Sequence, residues 1–107
     1  MSELKIDKNL KGYDEIIVPV LNEFKNILLS HNITELLIVG SIARNEAFEN
    51  SDVDICIINS AQHYDYLALK SNLEILFNRK VDIIKLDNVA PHISDSMIND
   101  GIEMNLK

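Results

Sequence analysis

Three aspartates and one small-residue turn are the groups in this sequence with chemistry to offer. Ser51-Asp52-Val53-Asp54 opens an apolar run, DVDICII over 52–58, that reads as a strand. Side chains two apart on a strand share a face, so Asp52 and Asp54 are expected to project together, with Val53 turned away. Two carboxylates that close raise each other's pKa unless a cation lies between them. Mg²⁺ suits the position, because a hard cation binds carboxylate oxygen and keeps places open for substrate phosphates. A pair of such ions about 3.5–4 Å apart clamps the attacking and leaving oxygens of an in-line displacement. A third carboxylate from a neighbouring strand would complete the set. Asp82 fills that place: it sits within KVDII over 80–84, where an acid in an apolar strand is costly unless something pairs it. Asp87 follows that strand and reads as a loop residue.

Gly40-Ser41 supplies the phosphate end of the same site. Gly40 allows the backbone to come close to a phosphate. Ser41, if it opens a helical turn, adds a hydroxyl and N–H groups at the turn's positive end. A triphosphate would then lie between that turn and the metal ions. Arg44 is a candidate phosphate contact, although a surface salt bridge is at least as good a reading. Ser51 belongs to the candidate nucleotide site, first as a residue that caps the loop and supports Asp52. Phe48 is either a base-stacking aromatic or, more commonly for such a residue, one folded over the core. His31, His63 and His92 have no metal-ligand spacing, and Tyr64 and Tyr66 read as packing residues.

The elements that must position these groups follow from apolar periodicity. Ile16, Ile17, Val20, Leu21, Phe24, Ile27 and Leu28 have helical spacing over 13–31, with Pro19 forcing a late start or a kink. Asn32 ends that helix, and residues 35–39 form a short buried strand that leads into Gly40. A turn of helix over 42–45 and a polar loop over 46–51 precede the strand carrying Asp52 and Asp54. Leu67, Leu69, Leu73, Leu76 and Phe77 mark a helix over 64–77, and residues 80–86 a third strand. Pro91 opens a last helical stretch with Ile93, Met97, Ile98 and Ile102. The result is a small sheet with helices on one side.

Composition sets the outer limits. The 107 residues are read as one domain, 1–107, with 47% apolar and 25% charged residues, too apolar for disorder. Ten Lys and Arg against 17 Asp and Glu give a net charge of −7. Nucleic-acid binding wants a basic stripe to displace phosphate counterions, and none is present, so direct nucleic-acid binding is not expected; a basic protein partner would fit. The single cysteine, Cys56, cannot form an internal disulfide and reads as a reduced core thiol. The charged N-terminus has no signal-peptide apolar region and no apolar run reaches transmembrane length. The expectation is a cytoplasmic protein with no membrane contact.

The segment GSIARNEAFENSDVD over 40–54, followed by KVDII, resembles the DNA polymerase β nucleotidyltransferase superfamily, and within it the minimal nucleotidyltransferase (MNT) antitoxins. Their pattern is G-S-x-A-R-G, a short loop, S-D-x-D and a later strand with a third Asp. Gly40, Ser41, Ala43, Arg44, Ser51, Asp52 and Asp54 match it, and the chain agrees in length and element order. Asn45 stands where the family commonly has Gly. If that position needs positive φ, Asn is the next most tolerant residue. The resemblance implies an α/β (α+β) palm-type fold, a small mixed sheet with helices packed on one side. It also implies a Mg²⁺-dependent nucleotidyltransferase that moves AMP from ATP to a tyrosine of a HEPN-type toxin and releases pyrophosphate. Asp52 and Asp54 would bind both ions, Asp82 would complete the site and assist deprotonation, and Gly40 and Ser41 would hold the triphosphate. The expected assembly is a hetero-oligomer with that toxin. The alternative is an antitoxin that neutralises its partner by contact, with weak or no transfer.

Overall fold

In a computed structural model that describes residues 10–106, the chain runs as α1 (Tyr13–Ile16), α2 (Leu21–Ser30), β1 (Ile33–Val39), α3 (Gly40–Ala43), β2 (Val53–Ser60), α4 (Tyr66–Phe77), β3 (Val81–Lys85), α5 (Pro91–Asp100) and β4 (Ile102–Asn105). Pro19 does break the first helical pattern: a single 3₁₀ turn, Val18–Val20, separates α1 from α2. Proline has no N–H to give and its ring crowds the preceding turn, so the chain restarts at Leu21. Asn32 ends α2 with φ 69°. Asp65 caps α4, its Oδ1 accepting from the Ala68 N–H at 3.1 Å, and Asn78 closes that helix with φ 53°.

The strands form one mixed sheet in the order β3-β2-β1-β4. β2 and β3 run parallel, joined by α4, while β1 is antiparallel to both β2 and β4. Alternation along the strands gives the sheet two unlike faces. Leu36, Ile38, Ile55, Ile57, Ile83 and Met104 point to the main core, where they meet Phe24 and Leu28 of α2 and Leu69, Leu73 and Phe77 of α4. Phe24 and Phe77 meet edge to face with centroids 5.1 Å apart, a favoured aromatic geometry. Every buried side chain among the described residues is apolar. The other face carries a small cluster of Leu37, Val39 and Cys56, against which Met97 of α5 packs. Cys56 is fully buried there and free, as its apolar surroundings suggest.

Two elements depart from the sequence reading. The helical stretch from Pro91 does not include Ile102: α5 ends at Asp100, and Ile102–Asn105 is a strand paired with β1. Gly101 makes that reversal, its N–H donating to the Met97 carbonyl at 2.7 Å. A Cβ there would press on the Met97 and Ile38 carbonyls. The helical turn expected over 42–45 begins two residues earlier, at Gly40.

Candidate active site

Register brings the site together. Val39 of β1 pairs with Asp54 of β2, and Asp54 pairs with Asp82 of β3. Lateral neighbours in a sheet point to the same face, so the Asp54 and Asp82 carboxylates stand side by side, away from the main core. Gly40 follows Val39 directly, with φ +74°. A Cβ at Gly40 would strike the Asp54 carboxylate, so both the backbone conformation and the space require glycine here. Asp52 falls one residue before β2 begins. It is therefore delivered by the end of the loop, not by the strand on which i, i+2 spacing would have put it.

Asp54 is half-buried, and burial pushes its carboxyl above the usual carboxylate range; the charges of Asp82 and then Asp52 push it further up, while Arg44 opposes them. Two acids thus act on a third. Among the described residues, however, no three His, Cys, Asp or Glu side chains converge tightly enough to form a ready-made metal-binding group. The donor set itself suits a hard divalent cation: carboxylate oxygens, one of them half-buried and crowded by like charge that a cation would relieve.

Asp54 and Asp82, but not Asp52, line a cleft of about 570 Å³, a volume ordinary for small-molecule sites. Gly40, Arg44, Asp54, Asp82, Tyr66 and Ile84 line it together with Ile93, Met97 and Asp100 of α5. A larger depression, about 640 Å³, continues past Tyr66 to His63, Lys85 and Asn88. Its one lining carboxylate, Asp65, is engaged as the cap of α4, so the smaller cleft is the candidate for the chemistry.

Other expectations meet mixed outcomes. Arg44 lines the cleft, yet its Nε also donates to Glu46 at 3.0 Å with both side chains about half exposed. Such a pair is weak, leaving the guanidinium free to turn. Ser51 has the loop-capping role: its Oγ accepts from the Phe48 N–H at 2.8 Å. Neither Ser41 nor Ser51 lines the cleft. Asn45 takes φ 59°, the left-handed conformation that asparagine tolerates best after glycine. Phe48 does not fold over the core; it is 54% exposed. Tyr64 is buried ahead of α4, whereas Tyr66, read from sequence as packing, is exposed into the cleft.

Sequence reasoning also missed the residues that aim the acids. Arg79 Nη1 donates to the Phe48 and Ser51 carbonyls at 3.3 and 3.0 Å, pinning the loop that delivers Asp52. Glu74 accepts from the Val81 N–H at 3.1 Å and Lys70 donates to the Val81 carbonyl at 2.9 Å. Together they fix the strand start one residue before Asp82. None of the three lies in a motif; only the fold reveals their work.

The comparisons with known proteins agree with this geometry. The sequence profile of the family described as polymerase beta nucleotidyltransferase matches residues 22–105. A provisionally named protein adenylyltransferase of Methanocaldococcus jannaschii is 32% identical over 90 residues, covering 78% of this chain and 97% of the relative. A second from the same organism is 32% identical over 95 residues, covering 77% and 95%. Among solved structures, a provisionally named minimal nucleotidyltransferase superposes with a TM-score of 0.65 at 26% identity, covering 80% of this chain and 93% of that one. A toxin–antitoxin structure with AMP-PNP gives 0.63 at 20% identity, covering 80% and 71%. The complex of a tri-AMPylated Shewanella oneidensis HEPN toxin with MNT antitoxin gives 0.55 at 19%, covering 80% and 67%; at these identities the last two speak for the fold alone. With the acid-bearing strands, the Gly40 turn and the matched span in agreement, the chain belongs to the polymerase β nucleotidyltransferase family, of the minimal nucleotidyltransferase kind.

Proposed function

We propose that this protein transfers AMP from ATP to a tyrosine hydroxyl of a partner HEPN-type toxin, as the antitoxin of a pair, with two Mg²⁺ ions held by Asp52, Asp54 and Asp82. The observation that carries the reading is the Asp54–Asp82 register beside Gly40, which sets two neighbouring carboxylates next to a turn whose backbone approaches Asp54 too closely for any Cβ. The names of the M. jannaschii relatives and the toxin–antitoxin structures support the acceptor class.

Bound Mg²⁺ would neutralise the phosphates and screen the attacking oxygen. The chain's own residues do the rest. Asp52, Asp54 and Asp82 bind the cations, and Asp82, the exposed member of the set, also accepts the proton of the acceptor hydroxyl. Gly40 holds the triphosphate by its backbone, with Ser41 behind it in the same turn, and Arg44, released from its weak pairing with Glu46, meets phosphate oxygen. Ser51 keeps the loop closed behind Asp52. Ile84, Ile93 and Met97 give the cleft apolar lining.

The test is to mix the purified protein with Mg²⁺, labelled ATP and the product of its neighbouring gene. Label on the partner, lost with Asp54→Asn, is the expected result; undiminished labelling by that variant overturns the mechanism. One observation favours a second reading, neutralisation by contact: Asp52 lies off the strand and the three acids do not converge by themselves. An Asp52→Asn/Asp54→Asn double variant that still neutralises the partner fully would decide for contact.

A further inference from the structure

Tyr66 stands in the cleft with no structural duty to explain it. It occupies the first position of α4, behind the Asp65 cap. It is 43% exposed, while the packing that anchors this end of the helix comes from Tyr64 and Leu69. Its hydroxyl makes no hydrogen bond to any described residue. It lines the same cleft as Gly40, Arg44, Asp54 and Asp82, and it forms the boundary with the neighbouring depression. A phenol there has the chemistry of the proposed acceptor, already inside the proposed site.

We infer that Tyr66 is an acceptor in its own right: without a partner, the protein transfers AMP from ATP to the Tyr66 hydroxyl. The inference rests on the function proposed above. In the step, Tyr66 Oη attacks the α-phosphorus of ATP and an oxygen–phosphorus bond forms. The bond from that phosphorus to the oxygen bridging to the β-phosphate breaks, and pyrophosphate leaves with the electron pair. The phenolic proton passes to Asp82, an exposed carboxylate of the same cleft. No electron donor or acceptor is needed. The product would carry a nucleotide tethered in the cleft, so self-modification closes the site to a second ATP and marks chains that have met no partner.

Two readouts test this. The first uses binding alone. Tyr66 is the most exposed of the three tyrosines, so a nitrating reagent should modify it before Tyr13 and Tyr64; Mg²⁺ with the α,β-methylene analogue of ATP, whose α–β bridge cannot be broken in the step, should slow nitration at Tyr66 and leave the other two unaltered. Equal nitration with and without the nucleotide overturns the inference, because it places Tyr66 away from bound ATP. The second incubates the protein alone with Mg²⁺ and labelled ATP and maps the label by peptide mass. One AMP on the Tyr66 peptide is expected, lost in Tyr66→Phe, which keeps the ring and whose fold is verified by its thermal unfolding. Label on another residue, or none on this protein while the partner is labelled, overturns the inference and leaves the proposed function standing. Label on neither protein overturns both.

Discussion

Asp54 is the residue on which opposing demands meet. Its carboxyl is raised by burial, then by Asp82 and Asp52, so the folded chain holds a proton there that the unfolded chain has already released. Folding stability without Mg²⁺ therefore falls as pH rises from the ordinary carboxylate pKa through the raised one, because the native state binds more protons in that window. Asp54→Asn should raise the stability of the metal-free protein at neutral pH by about 1 kcal/mol after allowing for solvent screening, visible as a higher Tm, and should abolish transfer. Mg²⁺ should raise the Tm of the native protein and do little for that variant. Gly40→Ala combines a positive φ with a collision against Asp54 and should cost about 1–3 kcal/mol in chemical denaturation, together with nucleotide binding. The acids and Gly40 could be read from sequence because each breaks a local rule: charge in an apolar run, glycine at a strand end. Tyr66 breaks none, since an aromatic at a helix start looks like packing, and only its direction reveals the cleft.

At the scale of elements, the site depends on how firmly β2 and β3 are held. Arg79→Ala removes both hydrogen bonds that Nη1 gives to the loop before Asp52 and should destabilise by about 1–3 kcal/mol, with transfer slowed further than the loss of folded protein explains. Comparing single-turnover rates of fully folded samples separates the two effects. Leu69→Ala, beneath α4, should cost about 2–5 kcal/mol and leave per-molecule activity nearly intact, since Leu69 is fully buried in the main core and does not line the cleft. The helices and the three longer strands were legible because their periodicities run for several turns or alternate over five residues or more. β4 was hidden: Ile102 falls in helical phase with Ile98, and four residues are too short to establish alternation. The contacts of Arg79 and Glu74 were hidden for another reason, as each reaches a backbone group brought close only by folding.

For the whole molecule, the net charge of −7 and the acidic cleft predict a partner with a complementary basic surface. Association should then weaken as salt rises from low to physiological strength, mainly through a slower on-rate, which stopped-flow mixing would resolve. No helix among the described residues is long and apolar enough to cross a membrane. The two faces of the sheet differ in one more respect: the main core is closed by α2 and α4, while α5 contributes no buried residue to the other face. Elements with few buried contacts open locally at low free energy. Backbone amides of α5 should therefore exchange with deuterium well before those of α4, without global unfolding, and the α5 lining of the cleft becomes the part of the protein that yields first, admitting a bulky protein side chain while β2 and β3 hold still.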